Sequence, residues 1–161
     1  MELQVVRRLK KELEELRYEL NSKLPKELEI AREHGDLKEN AEYEAAKQRQ
    51  GVVNARIGAT EQRVRELSMI DVSSFPEDAI GYGSLVTLED EDDGGEVKYE
   101  LVFPEEVDVS SGKISLSSPL GRALVNKNCD DEVQVQTPRG RKCFTVIAFK
   151  TIHQREVMLQ E

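Results

Sequence analysis

Two long stretches of this chain place apolar residues at alternating steps of three and four, and a short polar interruption separates them. In the first, Leu9, Leu13, Leu16 and Leu20 keep the rhythm, and Leu24, Leu28 and Ala31 carry it on with wider steps. In the second, Tyr43, Ala46, Gln50, Val53, Ile57, Thr60, Val64 and Leu67 fall on one seam. Such spacing is that of a coiled coil. Between the runs, His34-Gly35-Asp36 offers a glycine at which a helix can end. The pattern therefore predicts two helices folded back on each other as an antiparallel hairpin. Arms of about thirty residues, at ~1.5 Å per residue, reach roughly 45 Å and hold the turn far from the rest of the chain. Pro25 predicts a kink in the first arm, or a break and restart near Leu24, because proline lacks one backbone donor and crowds the preceding turn. The second helix is expected to begin near Glu39. Gln50 and Thr60, with Gly51 and Gly58 beside them, read as register markers or points of close approach.

After Ser73-Ser74-Phe75-Pro76, a short linker, the period changes to that of strands. Residues 85–88 and 99–103 predict a hairpin whose loop is the acidic run 89–96, a solvated loop that also discourages edge pairing. Residues 113–117 give a third strand. Ser118-Pro119 then opens a short helix, Ser118 as N-cap and Pro119 at the first helical position, with Leu120, Ala123 and Leu124 on one face. Residues 132–137 alternate, Pro138-Arg139-Gly140 turns, and residues 144–149 return as a central strand. The tail from His153 is free to fray or to add a short helix. The fold class is α+β, in two domains. Residues 1–74 form an N-terminal antiparallel α-helical coiled-coil hairpin. Residues 75–161 form a small antiparallel sheet domain with one short helix.

Charge sharpens this division. The net charge of −9 is unevenly placed: residues 1–70 hold 14 Lys and Arg against 14 Asp and Glu, whereas the remainder hold 9 against 18. An acidic second half cannot wrap a phosphate backbone by bulk attraction. Any contact with nucleic acid, DNA or RNA, should be local and made by the hairpin, where Arg32, Lys38, Lys47, Arg49 and Arg56 stand, although each of these singly also fits a solvated helix face. Cys129 and Cys143 are the only cysteines, with His34 and His153 the only histidines, which disfavours a zinc site and suits a reduced, cytoplasmic setting. No long apolar run supports a membrane span or a secretory signal.

The turn itself carries the candidate chemistry. Asp36 and Glu39 are two carboxylates three residues apart, with Glu42 one step further. They fit a capping box that starts the second helix. Equally, they offer oxygen ligands for Mg2+, which is commonly held by one or two carboxylates and a substrate phosphate. No phosphate-cradling glycine loop, activated nucleophile or set of stacking aromatics occurs elsewhere, so the chain has no self-contained enzyme site.

The segment Gly35-Asp36-Leu37-Lys38-Glu39-Asn40-Ala41-Glu42-Tyr43 resembles the tip signature of the bacterial Gre-type transcription elongation factors, GreA more than GreB. Ser117-Ser118-Pro119-Leu120-Gly121-Arg122-Ala123-Leu124 resembles a second segment of that family, in its FKBP-like C-terminal domain. The resemblance implies a factor that enters the secondary channel of bacterial RNA polymerase with its hairpin tip, and stimulates the polymerase's own Mg-dependent cleavage of backtracked nascent RNA. It implies a polymerase cofactor, not an enzyme, in which Asp36 and Glu39 serve as the catalytic acids and hold Mg2+ jointly with the polymerase. It further implies that Arg32, Lys47 and Arg49 contact the RNA 3′ end or the channel wall, and that Ser117, Pro119 and Leu120 dock the globular domain on the polymerase rim. A monomer with no membrane partner is expected. Ser117 stands where relatives often carry Asp or Asn, and Asn126 where glycine is common, a position whose left-handed backbone Asn tolerates. The start is abbreviated relative to the family, and the tail from Gln154 runs beyond the usual end. The alternatives are a channel-binding regulator that does not stimulate cleavage, a prolyl isomerase by fold analogy alone, and a structural coiled-coil adaptor, which leaves the tip motif unexplained.

Overall fold

The computed structural model describes residues 2–35 and 40–159. The chain divides into two compact units, Met1–Asp71 and Val72–Glu161.

The first unit is the helical hairpin. Its leading arm runs through α1 (Gln4–Tyr18) and α2 (Leu24–Glu33), and its returning arm is α3 (Ala41–Ser68). Leu9, Leu13, Leu24, Leu28 and Ala31 are buried, as are Ala46, Val53, Thr60 and Leu67, which recur every seventh residue of α3. The remaining seam positions of α3, namely Tyr43, Gln50, Ile57 and Val64, are half-buried. A strict seven-residue repeat keeps one face of each helix turned to its partner.

The leading arm departs from that repeat by one residue, and the structure places the extra residue. Between α1 and α2 the helix widens into a single π turn, Glu19–Lys23, in which the Leu24 N–H donates to the Glu19 carbonyl. A π turn inserts one residue into an α-helix without ending it. The insertion explains the wider steps after Leu20: the seam passes to Leu24, Leu28 and Ala31, while Ile30, where an unbroken repeat would fall, is exposed. Pro25 follows at once, so its missing N–H and bulky ring meet a turn already opened. The expected break is therefore a continuous helix with a local widening.

Among the described residues, three arginine–glutamate pairs tie the arms together. Arg56 reaches Glu12 (2.7 Å), Arg17 reaches Glu61 (2.6 Å), and Arg49 holds Glu19 through both Nε (2.6 Å) and Nη2 (2.9 Å). Gly51 and Gly58 face open space and are not points of close approach.

The second unit is built on a five-stranded sheet of order β3-β2-β1-β5-β4, made from β1 (Leu85–Asp90), β2 (Glu96–Val102), β3 (Lys113–Ser115), β4 (Glu132–Thr137) and β5 (Gly140–Lys150). The β1–β2 hairpin is longer than its apolar cores, because Glu89, Asp90 and Glu96 of the acidic run are themselves strand residues. Asp90 is buried at the strand end and accepts from Lys142 Nζ (2.7 Å) and the Asp92 N–H (3.0 Å), which together hold its carboxyl below the usual range. Val86 and Leu88, Val133, and Phe144 and Val146 point inward and pack with Ile80, Leu101 and Leu124, and Val135 is buried on the same strand as Val133.

One edge differs from the antiparallel expectation, since β3 pairs with β2 in parallel. Pro104 follows β2, and the chain crosses over through two short 3-10 turns, Pro104–Glu106 and Val109–Ser111, before returning in the same direction. The helix α4 (Pro119–Leu124) starts as expected, with Ser118 Oγ accepting from the Gly121 N–H at 3.0 Å. Asn126, just beyond it, has φ of 67°. A second helix, α5 (Ile152–Leu159), is held by Arg155, which donates to the Gly83 carbonyl (2.8 Å) and to Glu100 (2.7 Å). Among the described residues no helix is long and apolar enough to cross a membrane.

Glycine substitutions should separate the two kinds of position. Gly51→Ala and Gly58→Ala should each raise stability by about 0.5–1 kcal/mol, since Ala loses less freedom in a helix. Gly121→Ala should lower it by about 3 kcal/mol, because a Cβ there would lie 2.1 Å from the Ser115 carbonyl oxygen. Urea unfolding of the full chain, followed by far-UV circular dichroism, checks both signs.

Candidate functional site

The turn of the hairpin is organised by residues on either side of it. α2 ends at Glu33 with His34 as its C-cap, and Gly35 follows with φ of 119°, a conformation that favours glycine. α3 begins at Ala41, two residues later than expected, and its N-cap is Asn40. The Asn40 side-chain oxygen accepts from the Glu42 N–H (3.1 Å) and the Tyr43 N–H (3.2 Å). Its amide nitrogen donates back across the turn to the carbonyl of Ala31, in the last turn of α2. His34 Nδ1 and Glu42 Oε2 make a second crossing at 3.0 Å, exposed on both sides.

Just below these contacts, two cations from different arms approach one ring. Arg32 Cζ is 5.9 Å and Lys47 Nζ 6.0 Å from the centroid of Tyr43, within reach of the negative face of an aromatic ring. Arg32 and Lys47 are exposed, and among the described residues neither has a carboxylate partner. Arg49, grouped with them on sequence, is engaged differently. Its bidentate bond lowers the Glu19 carboxyl below its ordinary range and raises the guanidinium above its own, so it holds the arms together at the π turn.

Asp36 and Glu39 lie outside the described residues. The capping role considered for them is filled at α3 by Asn40, a residue sequence reasoning overlooked, although Asn is among the best N-caps. Among the described residues no group of three or more Asp, Glu, His or Cys side chains could hold a metal ion.

The second candidate region is the junction of β3 and α4. Ser117 is exposed and its hydroxyl lies 2.7 Å from that of Ser115, while Ser118 Oγ donates to the Ser115 carbonyl (2.7 Å). Pro119 is exposed at the first helical position. Leu120 is only half-buried and packs against the core of the sheet domain. Ser117 and Pro119 thus form a surface step, with Leu120 beneath it.

The model of the N-terminal domain of transcription elongation factors matches residues 3–68. That of the C-terminal domain of the GreA/GreB transcription elongation factors matches residues 75–151. The chain belongs to the GreA/GreB family of transcription elongation factors. Among its relatives, transcription elongation factor GreA of Sphingopyxis alaskensis is 49% identical over 78% of each chain, and that of Desulfotalea psychrophila 43% over 90% of each. The crystal structure of GreA factor homolog 1 (Gfh1) of Thermus thermophilus is 33% identical, covering 89% of this chain and 93% of that one, with a TM-score of 0.41. In this GreA/GreB chain the turn lies within the N-terminal match and the β3–α4 step within the C-terminal one.

The Glu19–Arg49 clasp gives the hairpin a pH dependence of definite sign. Because the folded-state value of Glu19 lies below its unfolded one, the pair stabilises at neutral pH, and that stability is lost as pH falls through the depressed value. Thermal melts of the full chain should show a midpoint that drops on acidification. Glu19→Gln should melt lower at pH 7 and depend less steeply on pH. An unchanged pH profile in the variant would place the acid sensitivity elsewhere.

Proposed function

We propose that the hairpin enters the secondary channel of bacterial RNA polymerase and that its tip stimulates the polymerase's own cleavage of backtracked nascent RNA. The observation that carries this reading is the match of both family domains, in order, over residues 3–68 and 75–151, together with the tip motif from Gly35 to Tyr43. Factors of this family act on RNA polymerase as cofactors and leave the cutting to the polymerase. α3 has the reach the role needs: 28 residues extend about 42 Å at 1.5 Å per residue.

Each group at the tip then has a task. Asp36 and Glu39 orient the attacking water and hold Mg2+ jointly with the polymerase, their hard oxygen donors being the kind this ion takes beside a substrate phosphate. The bound ion would supply charge stabilisation for the attacking and leaving oxygens of the phosphodiester. Arg32 and Lys47, with no neutralising carboxylate among the described residues, contact the RNA 3′ segment or the channel wall. Arg49 belongs to the same group and in the free chain is bonded to Glu19. Ser117 and Pro119 supply the exposed docking step on the polymerase rim, and Leu120 supports them from the core. The chain acts as a monomer in the cytoplasm, with polymerase and nascent RNA as its partners.

The test is a stalled, backtracked complex of bacterial RNA polymerase with Mg2+. Wild-type protein should release short RNA from it. Asp36→Asn combined with Glu39→Gln should slow release by about a hundredfold or more, as loss of a group that stabilises developing charge does, while still competing with wild type for the polymerase. If the doubly substituted protein cleaves as well as wild type, the two acids have no such role. Inhibition of elongation by wild type with no RNA released would assign a channel regulator that does not stimulate cleavage.

A further inference from the structure

We infer that Asn40 is a positioning residue for the cleavage reaction, through a tie that no backbone contact among the described residues duplicates. Asn40 is the residue immediately after Glu39, and Ala31 lies five residues before Asp36. One side chain therefore binds the end of α2 and the start of α3 to each other at the base of the acidic segment. Its oxygen satisfies two of the otherwise unpaired N–H groups at the start of α3. Its nitrogen satisfies a carbonyl in the last turn of α2, which also accepts from the His34 N–H (3.2 Å). The orientation of the amide is forced, since turning it over would face nitrogen to two donors and oxygen to a carbonyl and lose all three bonds.

The chemistry singles out asparagine. Capping α3 requires only an acceptor, which Asp, Ser and Thr supply as well. Crossing to Ala31 requires a donor on the same side chain, long enough to reach the other arm. Asp has the length but no donor when ionised, and its second oxygen would face the Ala31 carbonyl. Ser has a donor but is too short. The other crossing, His34 to Glu42, is exposed on both sides and is the kind of contact that solvent and salt weaken. The Asn40 tie thus fixes where the chain leaves the leading arm and where it joins the returning one. Two carboxylates that must meet a metal ion and a phosphate in another protein depend on such placement.

This inference rests on the proposed function, and its experiment keeps the two separable. Full-length wild type, Asn40→Asp and Asn40→Ser are compared on backtracked polymerase complexes with Mg2+, with melting temperature measured alongside. Both variants keep a cap, so they should melt near wild type and half-saturate the complex within about twofold of it. Their cleavage rate at saturation should fall by about tenfold, since misplacement of reacting groups by about 1 Å costs up to about a hundredfold. Wild-type rates in both variants overturn the inference. So does a loss that lies wholly in the half-saturating concentration, or one that tracks a lowered melting temperature. A defect in Asn40→Asp alone would assign the effect to added charge and would also overturn it. Independently of cleavage, the Asn40 carboxamide protons in the free protein should exchange with solvent more slowly than those of an exposed amide such as Asn54. Equal exchange rates show that the tie is not held, whereas slow exchange with no RNA release by wild type sinks the proposed function and leaves the tie standing.

Discussion

α3 has 28 residues, of which only Ala46, Val53, Thr60 and Leu67 are buried, one in every seven. A seam that narrow, with a threonine and an alanine in it, gives little apolar burial per turn. Gly51 and Gly58 lower its intrinsic helicity further. The helix persists because the leading arm covers the same seam along its length, and most helical stability in proteins comes from such packing. Everything at the turn depends on that register, because sliding one arm by a residue would move the Asn40 amide away from Ala31 and the Tyr43 ring away from Arg32.

The π turn is how the register survives a sequence that does not keep a perfect repeat. Up to Leu20 the leading arm follows steps of four and three. From Leu24 onward the phase has moved by one residue. An unbroken α-helix would then present Leu24, Leu28 and Ala31 to the side of the seam. Widening the turn at Glu19–Lys23 rotates them back, and all three are buried. Glu19 lies at the start of that turn and is the carboxylate that Arg49 grips with two bonds. A bidentate cross-arm pair therefore sits where the backbone is least regular, and Pro25, in the first turn of α2, adds to the local departure because it lacks an N–H.

Much of this was legible in the chain, for reasons that differ by element. Every seam position assigned from spacing is buried or half-buried, because a two-stranded seam is set by local periodicity. Ser118, Pro119 and Asn126 were equally legible, since caps and left-handed positions are properties of single residues. The parallel pairing of β3 was not, because a crossover leaves no periodic trace and only the partner strand defines direction. At the tip, spacing offered Asp36 and Glu39 as the start of the second helix, whereas Asn40 starts it. Asp and Asn are both good caps, and which one the helix uses is decided by the contact to Ala31, which sequence spacing does not contain. Arg49 looked like its neighbours Arg32 and Lys47 because charge alone does not say which carboxylate lies across the arm.

Along the hairpin, the partners of the cations change with position, and the change has a physical consequence. Lower down, Arg17, Arg49 and Arg56 each face a glutamate of the opposite arm. Such a pair is neutral and presents little field to a passing anion. At the turn, Arg32 and Lys47 lie beside the ring of Tyr43. An aromatic face attracts a cation without cancelling its charge. The arm, with 14 charges of each sign over residues 1–70, is thus not uniformly neutral. Three of its arginines are engaged in structure along the shaft, while Arg32 and Lys47 near the turn have no carboxylate partner among the described residues. Cations placed in this way suit recognition of a phosphate chain at one place, since a general positive field would bind nucleic acid without selecting the place.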